Sequence, residues 1–238
     1  MTDPYVKQII ENEVAYIEFY HPTHNSLPGN ILLELVEVIT NAGENDQIKV
    51  IVLKSGGDRT FCAGASFAEL ISINDIETGK KFFMGFANVI NALRNCSKLT
   101  IGRVQGKAVG GGVGLAAATD YCMATTHSDI KLSELTIGIG PFVIEPAVTR
   151  KIGLSAMSQL SLEASTFFSA QWAHKKGLYM KISPSIETLD AEVKKLAEQL
   201  CGYNPEALLK LKNTFWEGTE HWAELLKKRA AISGRLVL

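Results

Sequence analysis

Gln105-Gly106-Lys107-Ala108-Val109-Gly110-Gly111-Gly112-Val113-Gly114-Leu115-Ala116-Ala117-Ala118-Thr119-Asp120 is the stretch on which the fold turns. Ile101–Val104 before it has the composition of a short buried strand, and Leu115–Ala118 is a good helix start. The glycines between them bring a nearly bare backbone to that start, so another molecule can approach it closely. Amides at a helix N-terminus point outward and favour negative charge. Phe61-Cys62-Ala63-Gly64-Ala65-Ser66-Phe67 is a second loop of the same kind, with Ala65 lying 46 residues before Gly111. Two such amides converging on one oxygen would make an oxyanion hole. Each loop alone reads equally well as a packing turn. The patterns GxxxxGK[ST], GxGxxG and GxSxG are absent, which excludes the phosphate loop, the dinucleotide fingerprint and the serine-hydrolase elbow.

Outward from these loops the pattern alternates strand and helix. Tyr5–Ile10 and Val14–Tyr20 read as a hairpin across Asn12. His21–Gly29 reads as a loop, Asn30 as an N-cap, and the apolar spacing of Ile31, Leu32, Leu35, Val36 and Ile39 as a helix ended by Gly43. Val50–Leu53 suits a strand buried on both faces. Ser55–Gly64 reads as a loop, 75–96 as helical, and Tyr121–Thr125 and Ile130–Leu132 as short strands. From Glu145 onward helices dominate, at about 145–152, 155–163, 169–176, 188–202, 205–216 and 219–231, with one strand at Tyr179–Ile182. The absence of a Pro/Gly/Ser linker near 150–160 implies that this tail packs onto the first part.

The chain has 238 residues, a net charge of −1, 46% apolar and 21% charged residues. That composition is of a globular protein, not a disordered one. No basic excess points to nucleic acid, and no run is long enough to span a bilayer. Cys62, Cys96, Cys122 and Cys201 show no CxxC or zinc spacing, so reduced, buried thiols and a cytoplasmic setting are expected. MTDPYVKQII shows no signal-peptide pattern. His21 and His24 lack further ligands, so no metal site is expected. Trp172, Trp216 and Trp222 fall in helical patterns and read as core or interface.

Taken together, Asn25-Ser26-Leu27, Phe61–Ala65, Gln105–Gly112, Ala118–Tyr121 and Ser133-Glu134-Leu135-Thr136-Ile137-Gly138 resemble the crotonase superfamily, the enoyl-CoA hydratases and isomerases. The resemblance covers nearly the whole chain. It implies an α/β fold, a crotonase-type spiral of β-β-α units at 1–155, followed by a helical trimerisation region at 156–238. It implies an acyl-CoA substrate, no cofactor beyond the CoA moiety, and a homotrimer or dimer of trimers. It places the oxyanion-hole amides at Ala65 and Gly111 and the acid/base at Glu134. It assigns substrate contacts to Asn25, Ser26, Leu27, Ala63, Gly64, Ser66, Phe67, Gly110 and Phe142.

The departures narrow the chemistry. Hydratases of the family carry a second glutamate two positions after the glycine triplet, where this chain has Gly114. The stretch Thr136–Gly140 also resembles the 4-chlorobenzoyl-CoA dehalogenase branch, but Phe142 stands where a nucleophilic aspartate is expected. The common Ala-Asp step is Ala65-Ser66 here. Glu145 is the other candidate acid; with Pro146 behind it, it reads equally as a helix-start residue. One carboxylate with a raised pKa suffices to move a proton between two carbons, which fits double-bond isomerisation. Hydration stays open, because the chain overall resembles the 3-methylglutaconyl-CoA hydratases, as does a non-catalytic acyl-CoA-binding oligomer.

Overall fold

The computed structural model describes residues 3–238. In chain order its elements are β1 (Tyr5–Glu11), β2 (Val14–Tyr20), β3 (Ser26–Leu27), α1 (Gly29–Glu44), β4 (Val50–Ser55), β5 (Thr60–Cys62), β6 (Gly64–Ala65), α2 (Phe67–Leu70) and α3 (Ile76–Asn95). Then follow β7 (Leu99–Val104), β8 (Lys107–Val109), α4 (Gly111–Ala118), β9 (Tyr121–Thr125), β10 (Ile130–Lys131) and a 3-10 turn (Glu134–Ile137). The rest is α5 (Glu145–Leu162), α6 (Ala170–Lys175), β11 (Lys181–Ser183), α7 (Ile186–Cys201), α8 (Pro205–Phe215) and α9 (Trp222–Leu236).

Each turn of the chain gives one strand to a large sheet, a second strand to a small one, and then a helix. The large sheet runs β1-β2-β4-β7-β9-β11 and the small one β10-β8-β5, with β3 and β6 paired separately. All pairings between these strands are parallel except the β1–β2 hairpin. This is the β-β-α spiral that the family resemblance implies. Parallel strands need both faces covered, and β4 shows how. Its Ile51 and Leu53 enter the core beneath α1 and α3, while Val50 and Val52 meet Leu189, Val193 and Ala197 of α7 on the opposite face.

The tail is tied to the sheet by one buried polar cluster. Lys212 of α8 is 1% exposed. Its Nζ donates to Leu93 O (3.0 Å), Lys98 O (2.8 Å) and Asp120 Oδ2 (2.9 Å), which uses all three of its donors. Asp120 also accepts from Trp216 Nε1 (2.7 Å) and from the Thr100 backbone (2.7 Å) and hydroxyl (2.8 Å). Trp216 and Trp222 then pack edge to face, 5.8 Å apart.

Local expectations fail where a distant residue decides. Asn30 is not the N-cap: α1 starts at Gly29, whose N–H donates to the Glu69 carboxylate (3.0 and 3.2 Å) from α2. Gly43 does not end α1, which runs to Glu44. Gly43 is there for space, since a Cβ would sit 3.1 Å from Cys96 Sγ. The two helices expected at 145–152 and 155–163 are borne out: within α5 the helix breaks at Gly153, whose φ of 75° and ψ of 160° are not helical. The expected loop at 55–64 contains β5 and runs into β6. The strand expected at Tyr179–Ile182 is β11, and Tyr179 lies outside it, buried, with its hydroxyl donating to Ser128 O (3.0 Å). No helix among the described residues is long and apolar enough to cross a membrane.

Removing one member of a buried, satisfied ion pair leaves the other uncompensated. Lys212→Met is expected to cost about 3–5 kcal/mol, read as a lower urea midpoint at an unchanged slope. Adding Asp120→Asn should recover part of the loss.

Candidate active site

β6 passes close to the start of α4 at a residue whose backbone conformation favours glycine. Gly64 has φ +92°, and a Cβ on it would sit 3.3 Å from Val109 O and 3.7 Å from Gly111 N. Ser66 N–H donates to Leu27 O (3.0 Å), facing β3. Ala65, the last residue of β6, lines the same cavity as Gly111. Gly110 (φ +53°) gives its own N–H to Lys131 O (2.9 Å) and precedes Gly111, the first residue of α4. First-turn N–H groups have no intrahelical acceptor, so that of Gly111 is available to a ligand.

Glu134 opens the 3-10 turn that follows β10, and the parallel pairing of β10 with β8 carries it to the same place. Its carboxyl lies over Gly110: a Cβ there would be 3.1 Å from Oε1 and 3.6 Å from Cδ. Oε2 is buried with no hydrogen-bond partner. Burial raises the Glu134 pKa to about 7, opposed only by a hydrogen bond from its own backbone.

These groups surround a cavity of about 250 Å³ lined by Ser26, Ala63, Gly64, Ala65, Phe67, Gly110, Gly111, Glu134 and Phe142 among others. Glu134 is the one titratable side chain in that lining. The arrangement offers amides that favour negative charge and, beside them, a carboxyl that holds or releases a proton near neutrality.

Residues 9–233 match the family described as Enoyl-CoA hydratase/isomerase. The chain belongs to the enoyl-CoA hydratase/isomerase family. It is 28% identical to the short-chain-enoyl-CoA hydratase of Clostridium acetobutylicum, covering 83% of this chain and 76% of that protein. It is 27% identical to the peroxisomal Delta(3,5)-Delta(2,4)-dienoyl-CoA isomerase of Arabidopsis thaliana, covering 85% and 77%. A crystal structure of a Legionella pneumophila protein assigned to the enoyl CoA hydratase/isomerase (crotonase) class superposes with a TM-score of 0.83 at 31% identity, covering 88% and 81%.

Within this family member, four of the expected site residues lie outside the cavity lining. Asn25 supports the loop instead: its Nδ2 donates to Gly56 O and Thr60 O, both at 2.9 Å. Leu27 is core. Ser66 caps α2 through Glu69 N. Glu145 is held by Thr149 Oγ1 (2.5 Å) and by Arg229, and does not line the cavity. Cys62, next to Ala63 and Gly64, is fully buried, and burial pushes its thiol up to about 12, too high for a nucleophile at neutral pH.

Sequence reading also missed part of the wall. Phe82, Phe83 and Phe86 of α3 line the cavity, and their i, i+1, i+4 spacing on a helix was the available signal. Ile144 and Ser233 line it without any local signal. Ile144 matters most. A Cβ on Gly114 would lie 2.4 Å from Ile144 Cγ2 and 2.8 Å from its Cβ. The corner where the family resemblance places a second glutamate is filled with hydrocarbon.

Between pH 4.5 and about 7 the folded chain holds a proton on Glu134 that the unfolded chain has released. Stability therefore falls as pH rises through that window. Glu134→Gln is expected to stabilise the fold above pH 7 by on the order of 3 kcal/mol. The gain should shrink on acidification and vanish below the unperturbed value. Thermal unfolding across pH 4–8 measures this, and a gain independent of pH would contradict it.

Proposed function

We propose that this enzyme shifts the double bond of an acyl-CoA thioester from the 3- to the 2-position, with Glu134 as its single acid/base. The carboxylate of Glu134 takes the C2 proton. The C–H electron pair becomes a dienolate whose negative charge rests on the thioester oxygen, held by the N–H groups of Ala65 and Gly111. The dienolate then closes the C2–C3 double bond, and C4 receives the proton from Glu134. No atom is gained or lost. Each donor of such a hole contributes roughly 3–4 kcal/mol to the transition state, and a well-placed base about 10²–10⁴ in rate. A pKa near 7 suits a group that must both take and return the proton.

One observation carries this reading: Ile144 occupies the Gly114 corner, so the cavity has one acid and no place for a second. Hydration is the second reading, favoured by the similarity to the Clostridium acetobutylicum hydratase. In line with the family resemblance we infer a homotrimer or dimer of trimers. The exposed Leu154 and Leu162 of α5 (69% and 76%) support that inference, and light scattering tests it.

Incubation of a 3-enoyl-CoA in D₂O, followed by mass spectrometry, separates the readings. Isomerisation gives a 2-enoyl-CoA of unchanged formula, seen by its separate elution and conjugated-thioester absorbance whether or not deuterium is taken up; hydration adds a water mass, and a binding-only protein leaves the 3-enoyl-CoA unconverted. Glu134→Gln should lower kcat/KM by about 10²–10⁴. Wild-type kcat/KM should rise with pH through about 7 as Glu134 ionises; a flat profile would contradict the assignment.

A further inference from the structure

Residues 138–144 join the 3-10 turn to α5, and Ile139 through Ile144 all line the cavity. This wall is fastened from outside. Arg229 of α9 donates through Nη1 to Phe142 O (3.2 Å) and pairs with Glu145 Oε2. Thr149 Oγ1 donates to Glu145 Oε1. The Arg229 guanidinium thus holds a backbone carbonyl two residues before Ile144 and a carboxylate one residue after it. α9 itself is fixed against α3 where Gly79 and Gly234 cross; a Cβ on Gly79 would lie 2.7 Å from Gly234 O. The Ile144 side chain sits against Gly114 at a separation that leaves no room for a water molecule.

We propose that the Arg229–Glu145 pair is a positioning device that keeps Ile144 seated over Gly114 and so denies the acyl pocket the water that hydration would consume. Arg229 and Glu145 are positioning residues, since neither touches the reacting carbons. They select proton transfer within the substrate over addition of H and OH across its C2–C3 double bond. The inference deepens the isomerase reading and rests on it. It also explains why an acid so near the cavity points away from it: both oxygens of Glu145 are engaged by α5 and α9. A shift of about an ångström in such a wall is enough to change which reaction a bound substrate undergoes.

The test uses the full-length enzyme and a 3-enoyl-CoA in H₂¹⁸O. The readouts are the initial ratio of ¹⁸O-labelled 3-hydroxyacyl-CoA to 2-enoyl-CoA and the pH midpoint of kcat/KM. Arg229→Met and Glu145→Gln should each raise the ratio roughly ten-fold. Water admitted beside Glu134 relieves its burial, so the midpoint should also fall. Glu134 is the one titratable side chain lining the cavity, so the midpoint reports on it alone. Loss of stability moves neither readout. Arg229→Lys keeps the charge but not the forked geometry and should fall between wild type and Arg229→Met. Ile144→Ala removes no charge and should reproduce the effect even if the charge variants fold poorly. If Ile144→Ala changes the ratio and the charge variants keep the wild-type one, the latch is wrong. If Ile144→Ala also keeps it, the water-excluding plug is wrong. If wild type forms no 2-enoyl product, the isomerase reading itself falls.

Discussion

Two backbones and one carboxyl meet at two glycines of positive φ, where a Cβ would crowd its neighbours. Gly64 of β6 stands against Val109 and Gly111, and Gly110 lies beneath the carboxyl of Glu134. The strand registers make this meeting possible. Cys62 pairs with Ala108 and Lys131 pairs with Val109, so the ends of β5, β8 and β10 arrive side by side. The loops leaving those strands carry Ala65, Gly111 and Glu134. A one-residue slip would replace an amide or move the acid, which is why the spiral and the site cannot be separated.

The site is made at the expense of stability. A carboxyl with a buried, unpartnered oxygen opposes folding whenever it is ionised. The hydroxyls and amides nearby serve the loops instead: Ser26 Oγ donates to Ala65 O, and Asn25 holds Gly56 and Thr60. Among the described residues one other buried side-chain oxygen, Gln105 Oε1, lacks a partner. The Asp120–Lys212–Trp216 cluster uses every donor of its lysine and fixes the helical tail to the end of β7. The tail in turn supplies Ser233 and the Arg229 contact to the cavity wall.

Much of this was legible in the residues because it depends on local chemistry. Glycines at 64, 110 and 111 announce a bare backbone. Val50–Leu53 announces a strand covered on both faces, and the structure divides it between two cores. What was illegible depends on partners distant in sequence. Glu69 caps α1 across 40 residues. Gly114 reads as a missing acid, but only the fold reveals that Ile144, thirty residues on, has taken its place. Glu145 reads as a spare acid, and its fate is settled by Arg229, 84 residues later. Cys62, by contrast, reads as a buried thiol, and it is fully buried.

The central claim is that one oxygen and one carbon of a thioester are placed by three groups, the N–H of Ala65, the N–H of Gly111 and the carboxylate of Glu134. A crystal structure with an unreactive acyl-CoA analogue tests it most directly. The account predicts the thioester oxygen within about 2.7–3.1 Å of both amide nitrogens and C2 within roughly 3–3.5 Å of a Glu134 oxygen. A thioester oxygen bound by other donors, or C2 turned away from Glu134, would contradict it.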